Sequence, residues 1–418
     1  MMLTSLKFGV TFLGVVLTFL VARDAPVHAA DLPVPRLGLA SMPDADRPMA
    51  LQARFAFNLM RELARDNPRG ANQRNANIIV SPASIAAVLA VLDLGADAAM
   101  QKAIRRTLGF ETARAAPEHA SLDSLRASFA KFQGNADKGP LLLANAIVFD
   151  PTSRPHAEAL ARLREAGADA RVEDLAKPET LKGINDWVAA NTRGLIPSIL
   201  DEPPRDAGLV ALNALYFKDS WRLAFDPKDT RPAPFRVLNS TPVEVPMMRQ
   251  TDGNFRFRRD DRFIAADLPF ASEGFSLAIV TSRAEPLPAL AFTPVASWLT
   301  GEGFSESPGE VALPRFSLSQ SAELLRALDA LGLRSGRSSP TALSGFSEVP
   351  QAISRVMQKA VLRVDEAGAE AAAATAVVTT RSAPVDFVKL TVDKPFVFAL
   401  RDARSGAIVM AGYVGKPE

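Results

Sequence analysis

The sequence predicts an α+β fold in which helices pack on large mixed and antiparallel β-sheets, and three observations predict it. Helical apolar spacing is concentrated in the first half of the chain and short β-type runs in the second. Two nearly continuous apolar runs, Leu141–Phe149 and 209–218, are too apolar for edge strands and suit the interior of a large sheet. No internal repeat and no polar linker divides the 418 residues, and the regular alternation of a doubly wound fold is missing.

Residues 1–29 read as a secretory leader. Lys7 precedes an apolar run at 8–22, which is short against the roughly 20 residues of a membrane span. Arg23 and Asp24 end it, and Val27-His28-Ala29 offers small residues for cleavage. The expected product is an exported protein, extracellular or periplasmic, with no membrane anchor once the leader is gone. Residues 30–48, rich in Pro and Asp, form a loose tail, and 49–418 form one large domain.

Within that domain Phe55, Leu59 and Leu63 repeat at helical spacing from Leu51, and Asn67-Pro68 stops them. Ile78–Val80 is a short apolar run, after which Ser84 opens a buried helix closed at Gly95. A helix follows at 101–110, then the strand Leu141–Phe149, then a helix from Asn185 to near Gly194. The second apolar strand, 209–218, leads into short strands at 235–237, 243–248, 255–258, 263–268 and 275–280. A strand at 311–318, a helix at 321–331 and strands at 360–364 and 396–400 complete the reading.

Composition excludes much chemistry. There are 48 Lys+Arg, 46 Asp+Glu, three His and no Cys. Disulfides, thiol nucleophiles and thiolate metal sites are therefore out, and no two His stand four apart as a zinc hydrolase requires. The balanced charge gives no nucleic-acid footprint. His28 leaves with the leader, and His119 and His156 lie in polar, surface-like surroundings, so a hydrolase dyad lacks its base. No catalytic residue, metal or cofactor is assigned, and stability must come from packing alone.

The stretch 364–384, VDEAGAEAAAATAVVTTRSAP, conflicts with its own pattern. Its Ala run favours helix, yet it follows a strand-like segment and continues into β-branched Val377-Val378-Thr379-Thr380. An Ala-rich surface loop is the plainer reading. As a period-two strand it would carry Ala369, Ala371, Ala373, Thr375 and Val377 on one face, all small or apolar. It has no Pro before Pro384 and no charge between Glu370 and Arg381. Such a segment can be an exposed loop in one state and a strand between two others in another.

Here the chain resembles the serpin family. The hinge VDEAGAEAAAAT at 364–375 and the C-terminal DKPFVFALRDARSGAIVMAGYVGKP at 393–417 carry the likeness most strongly. NIIVSPASI at 77–85, LGA at 94–96, ANAIVF at 144–149, INDWVAANTRGLI at 184–196, NALYFKDSW at 213–221, VPMM at 245–248 and LPRF at 313–316 follow the family's order. The resemblance implies the serpin fold with an exposed reactive-centre loop at about 366–386, and a suicide-substrate inhibitor of serine endopeptidases, with cysteine endopeptidases as a further class. The expected partner is an elastase- or subtilisin-like protease, with trypsin-like enzymes next, met by a monomer.

The resemblance also implies roles. Glu366, Gly368, Ala369, Glu370, Ala371, Ala372, Ala373, Ala374 and Thr375 form the hinge, free of bulk that would obstruct insertion. Ser81, Ser84, Asn213 and Gln358 match the polar cluster beneath the main sheet, and Trp221 the tryptophan where insertion begins. Gln358 stands where the family usually has His, so this position cannot titrate. Family spacing places the reactive bond at Ser382–Ala383, whereas side-chain chemistry points to Arg381–Ser382. The rival reading is a non-inhibitory carrier or chaperone of the same fold, whose hinge would carry bulky, charged or proline residues.

Overall fold

The computed structural model describes residues 47–66, 77–110, 122, 139–204, 208–369, 386–402 and 407–418. Two sheets organise them. The five-stranded sheet runs in the order β11 (Phe316–Glu323), β12 (Ile353–Val364), β4 (Leu209–Phe217), β2 (Leu141–Phe149) and β3 (Asp169–Val172). Its central pair, β12 and β4, is parallel, with Gln358 opposite Asn213; β4 and β2 are antiparallel, with Asn213 opposite Asn145.

The nine-stranded sheet runs β1 (Ile78–Val80), β16 (Ile408–Val414), β15 (Phe396–Asp402), β9 (Phe275–Ser282), β8 (Phe263–Pro269), β7 (Val243–Arg259), β10 (Ser305–Pro314) and β14 (Val388–Thr391), with β6 (Arg231–Phe235) also on β7. A separate two-stranded ribbon joins β5 (Asp219–Ser220) to β13 (Gly368–Ala369). The helices are α1 (Arg47–Asp66), α2 (Pro82–Leu92), α3 (Ala98–Leu108), α4 (Ala157–Glu165), α5 (Pro178–Asn191), α6 (Leu325–Leu331) and α7 (Arg334–Arg337).

β2 and β4 are buried along their whole length, as their unbroken apolar runs require. On one face Leu142, Ala144, Val210, Leu212 and Tyr216 meet Ile184 and Val188 of α5. On the other, two apolar clusters divide each strand. Leu141 and Leu143 of β2 and Leu215 and Phe217 of β4 belong to one; Ile147, Phe149, Leu209 and Ala211 belong to the other. β12 divides in the same way, Ala360 and Leu362 from Val356. The residues left at the boundary are Asn145, Asn213 and Gln358.

Several expected boundaries move, each for a physical reason. Ser81, not Ser84, caps α2: its side chain accepts the Ser84 N–H, and Pro82 supplies the first helical position. The expected strand 311–318 is two strands in two sheets, divided at Pro314-Arg315, where Pro removes a ladder donor. Residues 321–323 extend β11 by pairing with Lys359, Gln358 and Met357 of β12, so the following helix begins only at Leu325. The runs 243–248 and 255–258 are one strand, because Gly253 and Asn254 pair across β10 with Gly309 and Pro308. A Cβ on Gly253 would lie 2.3 Å from the Phe255 ring, so glycine serves contact here and not a turn.

The strand expected at 235–237 lies at Arg231–Phe235, where Pro232 and Pro234 are tolerated because β6 is paired on one side only. α3 runs Ala98–Leu108, not 101–110; α5 begins at Pro178, ahead of the expected Asn185; and α1 opens at Arg47, inside the expected tail. β16 was hidden because its alternation is lost in a segment buried throughout.

A buried charge cluster ties β8 to β15 and β7. Asp267 and Arg401 are 2% and 3% exposed. Asp267 Oδ2 accepts from Arg256 Nη1 at 2.8 Å and from Arg401 Nη2, while Arg401 Nη1 donates to Thr300 O at 3.1 Å. Removing one partner of such a pair leaves an uncompensated charge in the core. Arg401→Ala should lower the denaturant unfolding midpoint, on a scale of about 3–5 kcal/mol.

Candidate functional site

The boundary residues assemble into a polar row crossing the seam between β12 and β4. Asn213 Nδ2 donates to Asn145 Oδ1 at 2.6 Å, and Gln358 Nε2 donates to Asn213 Oδ1 at 2.8 Å. Gln358 Nε2 also donates to Ser81 O at 3.2 Å, and its Oε1 accepts the Ser81 N–H at 2.8 Å. The Ser81 hydroxyl lies 2.6 Å from Val409 O and 2.7 Å from Ser84 Oγ. The amides are therefore polarised head to tail, from the start of α2 across three strands. Ser81, Ser84, Asn213 and Gln358 are each at most 1% exposed.

Gln358 uses two N–H groups and one carbonyl. A neutral imidazole has one donor and one acceptor, and could not make all three bonds. Asn145 belongs to the row although sequence reasoning did not single it out; the signal was a lone amide inside the apolar run LLLANAIVF. Trp221 does not join the row. It follows β4 and β5 and meets the hinge instead.

At the hinge β12 ends at Val364 and the chain turns back. Asp365 Oδ1 accepts the N–H groups of Ala367 at 2.9 Å and Gly368 at 3.2 Å, and Asp365 N–H donates to Gly368 O at 2.9 Å. Gly368 has φ +151°, and a Cβ there would lie 2.1 Å from Asp219 O, so the close approach of β13 to β5 requires glycine. Trp221 donates its backbone N–H to Ala367 O and its indole N–H to Asp365 O, both at 2.9 Å. Its ring stacks on Phe270 with centroids 4.4 Å apart. Phe225 N–H donates to Glu366 O at 2.9 Å.

The Glu366 side chain, 6% exposed, accepts from Arg315 Nη2 and Thr230 Oγ1, both at 2.6 Å. Burial pushes its carboxyl up, but the bonds from Arg315 and Thr230 more than offset that and hold it below the ordinary value. Asp219 moves the opposite way: burial raises it, and the Ser272 and Ser220 N–H groups at 3.1 and 2.9 Å offset this only in part. Sequence reasoning missed Arg315 and Thr230, because both reach Glu366 from connections distant in the chain, between β10 and β11 and just before β6.

Glu370, Ala371, Ala372, Ala373, Ala374, Thr375, Arg381, Ser382 and Ala383 lie outside the described residues, as does His119. His156 is exposed ahead of α4, with no side-chain capping bond. Among the described residues no group of three His, Asp or Glu could hold a metal ion, and no helix is long and apolar enough to cross a membrane.

The chain matches the family model described as Serpin (serine protease inhibitor) over residues 50–417. It is 32% identical over 384 residues to leukocyte elastase inhibitor of Sus scrofa, covering 88% of this chain and 99% of that one. It is 28% identical over 388 residues to neuroserpin of Homo sapiens, covering 88% and 94%. Serpin48 of the insect Tenebrio molitor superimposes with a TM-score of 0.76 at 26% identity, covering 90% of this chain and all of that one. Thyroxine-binding globulin in complex with thyroxine shares the fold, with a TM-score of 0.74 at 23% identity, covering 88% and 99%.

Truncation by Gln358→Ala leaves the Ser81 N–H and Asn213 Oδ1 buried and unpaired. The unfolding midpoint should fall, on a scale of about 2–4 kcal/mol for two such groups. Heat-induced polymerisation of the wild type should show no acceleration from about pH 7 to 5 through this row, while Gln358→His should introduce one.

The hinge clamp has its own pH window. Because the Glu366 carboxyl is depressed, its stabilisation is complete above its ordinary value of 4.5 and is lost as pH falls through the lower, folded-state value. Exchange of the Trp221 and Phe225 amides, corrected for intrinsic rates, should quicken only in acid. Arg315→Ala should reproduce that loosening at neutral pH, by about 1 kcal/mol because Arg315 is half-exposed.

Proposed function

Because the chain belongs to the serpin family, we propose that it inhibits serine endopeptidases as a suicide substrate rather than acting as an enzyme. A protease attacks the reactive-centre loop at about 366–386 and forms an acyl-enzyme. The cut loop then enters the five-stranded sheet as a new strand between β4 and β12, carrying the protease with it.

The observation that carries this reading is the parallel pairing of β4 and β12 at the sheet's centre, with the hinge leaving the end of β12. A chain folding back from that hinge runs antiparallel to both. Insertion therefore exchanges one parallel ladder for two antiparallel ones, which are slightly more stable per residue. About a dozen added backbone hydrogen bonds at roughly 1 kcal/mol each amount to about 10 kcal/mol before ordering entropy is subtracted. The starting state is then kinetically trapped, and its lifetime depends on the seam staying closed.

Small hinge residues support the same reading. Ala369 is fully buried against β5, and the residues after it, up to Thr375, carry no side chain larger than the family's own Glu370. Ser382–Ala383 suits an elastase- or subtilisin-like protease with a shallow pocket, and leukocyte elastase inhibitor is among the relatives. The alternative bond, Arg381–Ser382, suits a trypsin-like one. The leader at 1–29 fits an exported protein that meets its target outside the cytoplasm, as a monomer.

Mixing the purified protein with elastase-, subtilisin- and trypsin-like enzymes should yield a covalent complex that survives denaturing electrophoresis. Mass spectrometry of the released C-terminal fragment should give Ala383 as its first residue. Ala371→Arg places a long charge on the inserting face, and should turn the inhibitor into a substrate that is cut without trapping. Cleavage without complex by every enzyme would leave a non-inhibitory member of the fold.

A further inference from the structure

β7 spans two environments. Its residues 256–259 pair with β8 on one side, while 247–250 and 253–257 pair with β10 on the other. Where β7 parts from β8 a cavity of about 260 Å³ opens. Trp221, Phe225, Phe255 and Phe275 supply aromatic walls, and Asp267 and Ser276 are polar lining residues. Both are 2% exposed, and Asp267 Oδ1 and Ser276 Oγ have no hydrogen-bond partner among the described residues. Leaving such groups unpaired is costly, and a donor brought by a ligand would relieve it.

The lining indicates the ligand class. Aromatic walls favour a flat ring that can stack or meet edges. Asp267 is already flanked by Arg256 and Arg401, Glu306 lies at the same cavity hydrogen-bonded to Asn254, and Arg222 is an exposed lining residue. An anion at Asp267 Oδ1 would meet the carboxylate and a cation the surrounding arginines, whereas a neutral hydroxyl can donate to Asp267 Oδ1 or accept from Ser276 Oγ.

The walls are also the hinge's anchor. Trp221 and Phe225 donate their backbone N–H groups to Ala367 O and Glu366 O. We propose that this cavity binds a neutral aromatic molecule bearing a hydroxyl, and that its occupancy holds Trp221 and Phe225, and through them the hinge, in the docked position. The site belongs to the resting fold and does not depend on protease trapping. A ligand that must leave before the hinge opens slows opening by the factor 1 + [L]/Kd.

The test uses 2-naphthol and its methyl ether, 2-methoxynaphthalene, as probes, followed by ligand-observed NMR on the full chain without protease. The naphthol should bind about tenfold more tightly than the ether, since only it carries a donor. Ser276→Ala should weaken it about threefold or more without lowering the melting temperature, because the Ser276 hydroxyl has no partner to lose. Leu223→Trp, at a half-buried lining position, should fill the cavity and abolish binding. At tenfold excess over Kd, exchange at the Trp221 and Phe225 amides should slow about tenfold. Equal binding of the two probes, undiminished binding to Leu223→Trp, or no binding of either probe would overturn the site. Binding without slowed exchange would overturn its coupling to the hinge.

Discussion

The five-stranded sheet depends on one row of side-chain amides. Asn145, Asn213 and Gln358 lie in register on neighbouring strands, and Gln358 ties them to the backbone of Ser81. On the face they share, each neighbour along a strand belongs to one of two apolar clusters, so the row is the polar boundary between them. A boundary of this kind is expensive to leave half-satisfied and rigid when complete. It also fixes register: a two-residue slip of β12 against β4 would put Gln358 opposite an apolar residue and leave Asn213 without its donor.

That arrangement has a mechanical consequence. Parting β4 from β12 separates Gln358 from Asn213, while the apolar contacts of each cluster with the helices and the second sheet can persist. The resistance at mid-seam is thus directional hydrogen bonding, which yields over a short distance, and not diffuse apolar packing. The hinge end is held differently. There Gly368 lets the backbone of β13 lie against β5, Trp221 and Phe225 grip three successive residues of the turn, and Glu366 is locked by Arg315 and Thr230. A titratable clamp at one end and a non-titrating row in the middle divide the control of one seam.

Much of this was legible in the sequence, and the reasons are local. Leu141–Phe149 and Leu209–Phe217 announced buried central strands because their apolar runs are unbroken except by one Asn each. The Asn residues themselves were weaker signals: Asn213 is placed by the family likeness of NALYFKDSW, and Asn145 went unnoticed although an amide on the core face of such a strand needs a partner. What escaped detection was non-local. Glu323 and its two predecessors have helix-compatible side chains, and pairing with β12 overrides them. Nothing near Glu366 in the chain discloses Arg315, which arrives because Pro314 ends β10 and the chain crosses between sheets.

The absence of cysteine and the near-absence of histidine acquire meaning from this geometry. In the proposed mechanism the chemistry is the protease's own, and this chain contributes a bait bond and a closed seam. A crosslink from β4 to β12 would stabilise the resting fold while forbidding the new strand. A titrating side chain at Gln358 would make the seam's strength vary between about pH 7 and 5. Neutral amides avoid both, and their strength is set by geometry alone: one side chain makes three bonds, and the one that crosses the seam to Asn213 is lost when the strands part. Metastability of this kind asks the closed state to be well satisfied locally while a better-paired topology stays out of reach, and a polar row between two packed clusters meets that requirement.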